Sequence, residues 1–172
     1  MNKDYIGKVP EFYQGYVKLV DTTSDIVGLY ALEQLIWWKT NLDRLEEKGD
    51  YAYAEGKWTI KQLIQHMIDT ERIFVYRALA ACRGEDQELP GYDEDEYALN
   101  GKASHRSVQD LMEEWDVVRQ SSFLFFNTLI PSDWSKVVKA NQKQITVAAI
   151  AYILIGHEIH HQNIIEERYL NL

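Results

Sequence analysis

His157 and His161 stand one helical turn apart in the segment Val147-Ala-Ala-Ile-Ala-Tyr-Ile-Leu-Ile-Gly-His-Glu-Ile-His-His161. The apolar positions 147, 150, 151 and 154, and later 164 and 165, recur at helical spacing. The two histidines continue that stripe where leucines would be expected. Residues four apart share a helix face, so both imidazoles should point into the protein. Burying two imidazoles side by side costs free energy unless their nitrogens find partners, and a metal ion is an effective one.

His66 is the third member. It lies among Leu63, Thr70 and Ile73 at helical spacing, which predicts a core-facing position on another helix. Three neutral imidazoles leave coordination positions open, as a catalytic metal site does. Such ligands suit a divalent ion of zinc, nickel, iron or copper and discriminate little among them. The alternatives are core histidines satisfied by hydrogen bonds, or histidines bonding across a dimer interface. His160 is rotated about 100° off the stripe, and His105 falls in a connecting segment; both are expected at the surface or in local hydrogen bonds.

His157-Glu-Ile-His-His161 also fits the literal zinc-protease pattern H-E-x-x-H. The extended form needs Gly and His at 164 and 167, where this chain has Ile and Glu, so the match reads as accidental. Glu158 remains a candidate catalytic residue, as does Arg77, three turns beyond His66 on the same face, expected buried and paired or holding an anionic substrate. Asp69 and Glu158 are candidates for orienting a histidine ring. Asp69, Glu71 and Arg72 otherwise read as a charged outer face. The run Asp93-Glu-Asp-Glu96 lacks calcium-loop spacing and reads as solvated.

Four long helices must position these groups. The first is expected from Ser24 or Asp25 to Lys48, with Leu29, Leu32, Ile36, Leu42 and Leu45 inward. The second opens on the capping box Thr59-Ile-Lys-Gln62 and runs to about Arg83. The third spans about Ser107 to Leu129, with Leu111, Trp115, Val118, Phe125 and Leu129 as core. The fourth starts near Thr146 and nearly reaches the C-terminus. No strand is expected. The acidic stretch from Gly84 to Arg106 is long enough to be a crossover between helices two and three, and residues 130–145 read as a plain connection. The fold class is therefore all-α, a four-helix bundle in a single domain over residues 1–172, with residues 1–20 as an N-terminal strap rich in tyrosine and phenylalanine.

Composition excludes several functions. The 172 residues are 46% hydrophobic and 26% charged with a net charge of −9, which suits a soluble globular domain and argues against nucleic acid. No signal peptide or membrane span is expected. Cys82 is the single cysteine, so no intramolecular disulfide can form, and a cytoplasmic location is expected. Leu35, Ile36, Trp37 and Trp38 offer more apolar surface than one core stripe uses, which predicts a homodimer.

The run Gly56-Lys-Trp-Thr-Ile-Lys-Gln-Leu-Ile-Gln-His66, taken with Gly156-His-Glu-Ile-His-His161, resembles the DinB-like superfamily and its YfiT-type metal-dependent hydrolases. Trp58, Thr59, His66, His157 and His161 match its pattern, and Leu89-Pro-Gly-Tyr-Asp93 is similar to members of the group. The resemblance implies an up-down-down-up bundle, a divalent metal on the three histidines, and often a homodimer. It also implies a small-molecule substrate. The leading reaction is thiol S-transfer with a bacillithiol- or glutathione-like cosubstrate. The alternatives are a hydrolase using metal-activated water, and a non-catalytic metal- or ligand-binding bundle.

Overall fold

A computed structural model of the chain describes residues 6–21, 25–30 and 35–171. The short α1 (Gln14–Leu19) follows a tight turn at Glu11–Tyr13. The bundle consists of α2 (Ile36–Thr40) with α3 (Leu42–Glu47), then α4 (Ile60–Cys82), α6 (Val108–Asn127) and α7 (Val147–Ile165). Between α4 and α6 the crossover carries α5 (Glu94–Asn100).

Each long helix begins where its sequence supplies a cap. Thr59 and Gln62 form the expected capping box, the Thr59 hydroxyl accepting from Gln62 N at 3.2 Å and the Gln62 carbonyl from Thr59 N at 2.9 Å. Ser107 caps α6 through Asp110 N, and Thr146 caps α7 through Ala149 N. Asp93 caps α5 by accepting from Asp95 N and Glu96 N, so the acidic run has a local structural use as well as its exposed charges.

The first helix departs from expectation. It is not one continuous segment among the described residues: Gly28–Tyr30 form a 3-10 turn, and α2 breaks from α3 at Asn41, whose φ of −98° and ψ of 9° leave the helical region. The Asn41 side chain donates to the Trp37 carbonyl at 2.9 Å, the local competition that makes asparagine a poor interior helix residue. Ser24 and Leu32 lie outside the described residues. Leu35, Trp38 and Leu45 are fully buried within the chain, and Trp37 donates to Glu166 at 2.7 Å. Of the four residues offered as surplus, only Ile36, at 57% exposure, stays open.

The 130–145 connection also differs. It contains an antiparallel hairpin, β1 (Val137–Ala140) and β2 (Lys143–Thr146), paired from Val137↔Thr146 to Ala140↔Lys143. Asn141 and Gln142 both take positive φ, 48° and 60°, the twist a two-residue hairpin turn prefers. Val138, Ala140 and Ile145 bury against the bundle. The crossover is tied to this hairpin, Leu89 N donating to Lys139 O at 2.9 Å and Asn141 N to Leu89 O at 3.1 Å.

α7 is the central helix. Every residue from Val147 to Glu158 is buried, as expected of a helix apolar all round, because α1 and the hairpin cover the sides that α4 leaves open. Gly156 permits this close approach. A Cβ there would meet the Tyr16 carbonyl oxygen at 2.0 Å, so α1 rests backbone against backbone one residue before His157.

Candidate metal centre

α4 delivers His66 and α7 delivers His157 and His161 to one buried point. The His157 Nε2 lies 3.0 Å from His66 Nε2 and 2.9 Å from His161 Nε2, and one nitrogen from each ring falls within 4.8 Å of the others. The Trp58 ring packs on His66 at 4.7 Å and the Tyr16 ring on His157 at 5.2 Å. These aromatics shield the imidazoles from water.

That shielding sets their protonation. Burial pushes His66 down to about 4. Burial, then the nearness of His66 and His160, pushes His161 down to about 3. His157 falls well below its ordinary value through burial and then the surrounding histidines. All three are neutral at pH 7, with lone pairs available as metal ligands require.

Three converging nitrogens cannot satisfy one another with protons. A neutral imidazole nitrogen either donates one hydrogen or accepts through one in-plane lone pair, so His157 Nε2 cannot serve both neighbours well. One cation can accept all three lone pairs. Zinc–nitrogen bonds of about 2.0–2.1 Å place tetrahedral ligands roughly 3.3–3.4 Å apart, so the two close separations at His157 need a few tenths of an ångström of opening to seat such an ion. The residues present fit a divalent metal.

The metal-free protein should therefore be acid-labile. The histidine pKa values are depressed on folding, so their contribution to stability is complete above the unfolded value near 6.5 and is lost as pH falls towards 3–4. The urea midpoint of metal-free wild type should fall from pH 7 to pH 5 more steeply than that of the His66→Ala/His157→Ala/His161→Ala variant. Parallel declines would contradict the buried neutral state.

The triad opens on a cavity of about 350 Å³, whose walls include Tyr13, Tyr16, Trp58, Phe74 and Tyr92. Arg77 lines it too and is buried. His160 is half-buried beside Tyr16 at 5.2 Å and remains outside the converging group. His105 is exposed. Cys82 is a buried free thiol whose pKa burial raises.

Glu158 is not brought to this cavity. Rotated about 100° from His157, it faces Arg119, Nη1 to Oε2 at 2.8 Å, and accepts from Trp38 Nε1 at 3.2 Å. Asp69 accepts from Gln65 at 3.0 Å and lies 4.0 Å from Arg72; neither carboxylate orients a histidine ring. Glu71 corrects the outer-face reading. It is buried, accepts from Arg119 Nε and Nη2, each at 3.0 Å, and from Trp115 Nε1 at 3.0 Å.

Known proteins share the fold and part of the sequence. Two Oceanobacillus iheyensis proteins, each described as a "putative metal-dependent hydrolase", match short stretches. One is 30% identical over 54 residues, 31% of each chain, and the other 34% over 59 residues, 34% of each. The matches thus span about a third of the length of these curated relatives. The solved structure of YfiT from Bacillus subtilis, described as a probable metal-dependent hydrolase with an unusual four-helix bundle topology, superposes with a TM-score of 0.64 at 16% identity. That superposition covers 94% of this chain and 88% of YfiT; at such identity the likeness establishes the fold. The sequence profile of the DinB superfamily matches residues 35–165, from the start of α2 to the end of α7, and the chain belongs to that superfamily.

Proposed function

We propose that the protein is a metal-dependent enzyme acting on a small molecule, with His66, His157 and His161 holding a divalent ion. Zinc, nickel and iron all suit this ligand set. The observation that carries the reading is the convergence of three buried, neutral imidazoles at the wall of an open cavity. Bound there, a divalent ion supplies Lewis acidity that favours the thiolate of a cosubstrate.

The reaction we favour is transfer of a low-molecular-weight thiol, of the bacillithiol or glutathione kind, to an electrophile. A thiolate needs no protein base at the moment of attack. A divalent ion ionises a bound water as it does a bound thiol, but hydrolysis of the zinc-protease kind also uses the H-E-x-x-H glutamate as base, and Glu158 is turned away and engaged by Arg119. The hydrolase reading stands second, favoured by the descriptions of the relatives. We further propose a cytoplasmic homodimer, with exposed Ile36 among the residues available to a second subunit. Among the described residues, no helix is long and apolar enough to cross a membrane.

Initial rates against thiol concentration test the reaction class. Zinc-loaded protein with a chlorodinitrobenzene electrophile should turn over only when metal and thiol are both present, rising to saturation. The His157→Ala variant should be inactive. A rate on ester substrates that falls steadily as thiol is added would reject thiol transfer in favour of hydrolysis, and ligand binding without turnover in either assay would leave a non-catalytic binder.

A further inference from the structure

Arg77 is 4% exposed, and among the described residues no carboxylate oxygen lies within 4 Å of its guanidinium. The described partners are neutral. Its Nη2 donates to the Pro90 carbonyl at 3.1 Å, and the guanidinium carbon lies 4.9 Å from the Phe74 ring centroid and 6.0 Å from that of Tyr92. Tyr13 is close enough for the guanidinium charge to act on its hydroxyl. Burial raises the pKa of Tyr13 and pushes Tyr92 up to about 12, so both remain phenols and supply no counter-charge. Glu94, which lines the same cavity, is exposed.

An arginine is always charged in proteins, and a buried charge without a counter-charge is strongly destabilising in general. The contrast within this chain is direct, because buried Arg119 faces two carboxylates. Arg77 instead faces the cavity that holds the histidines, with Lys143 and Asn141 also on the wall. His66 and Arg77 occupy one face of α4, roughly 16 Å apart along its axis at 1.5 Å per residue. Arg77 tilts back towards His66, because helical side chains lean towards the N-terminus.

We propose that Arg77 is the anion-recognising end of this cavity, and that the ligand is an elongated molecule carrying a carboxylate at the end remote from the histidines. A planar guanidinium fork matches a carboxylate in two parallel hydrogen bonds. The exposed Lys143 and Glu94 on the same wall offset one another, so the one buried guanidinium balances one negative charge, which favours a carboxylate over a phosphate dianion. The aromatic walls accommodate the apolar stretch between the two ends. This deepens the proposed function by naming the substrate class, and it rests on that reading for the identity of the other end.

Four calorimetric titrations separate the two claims: ω-mercaptooctanoate and ω-mercaptooctanol, each into metal-free and zinc-loaded protein. The carboxylate should bind about ten- to a hundred-fold more tightly than the alcohol in both forms, the range expected for a hydrogen bond to a charged group. Arg77→Met should remove that preference while leaving zinc affinity unchanged, and Arg77→Lys should keep part of it. Equal affinity of wild type for the two compounds would overturn the proposal, and that comparison needs no variant to fold. Should the preference persist while zinc strengthens neither compound, the anion end stands and the metal–thiol reading fails. Should zinc strengthen both equally with no preference between them, the reverse holds.

Discussion

Replacing Arg119 by methionine is expected to remove about 3–5 kcal/mol of folding stability, the range for breaking a buried ion pair from one side. Arg119 is 1% exposed and lies between Glu71, bound through Nε and Nη2, and Glu158, at 2.8 Å from Nη1. The second contact is an ion pair not aligned as a hydrogen bond. Burial opposes the guanidinium charge, but the two carboxylates outweigh it and hold its pKa above the ordinary value. Burial raises the pKa of Glu158 against the lowering effect of Arg119, so without the arginine both carboxylates would be stranded. Against a typical total of about 5–15 kcal/mol, the loss should be visible as a large fall in urea midpoint. Glu158→Gln, which removes one of the two negative charges, should cost markedly less. A midpoint for Arg119→Met within error of wild type would mean that this cluster is solvated.

His157→Ala should weaken zinc affinity at least a hundredfold, whereas His160→Ala should change it less than threefold; each estimate follows from losing, or keeping, one of three protein ligands. His157 Nε2 is the nitrogen in contact with both of the others. His160 is three residues along the same helix, but packs on Tyr16 outside the group. Competition against a chromophoric chelator would measure both variants. Equal losses would mean that the wrong face of α7 has been assigned.

The site was legible because its signal is local. Spacing within α7 places His157 and His161 on one face, and the Thr59/Gln62 capping box sets where α4 begins and hence how His66 is carried. The Arg119 cluster also has a signal in the sequence. Glu71, Arg119 and Glu158 each occupy a position on an apolar helical stripe, Arg119 among Trp115, Val118 and Ser122, and three buried charges on three helices imply mutual pairing. The hairpin was hidden because its turn is Asn141-Gln142 rather than an asparagine–glycine pair, and because its short strands gain stability by packing on the bundle. The break at Asn41 likewise reflects a side-chain-to-backbone bond that apolar periodicity does not register. No property of Gly156 in its own segment announces that α1 lies across it; that is a tertiary fact.

The most direct measurement is the metal content of purified protein after reconstitution with one divalent ion and removal of excess by gel filtration. Elemental analysis should find close to one ion per chain in wild type and almost none in the His66→Ala/His157→Ala/His161→Ala variant, with circular dichroism confirming that the variant retains its helices. Wild type binding no more metal than a folded triple variant would contradict the assignment of these three histidines as the metal site.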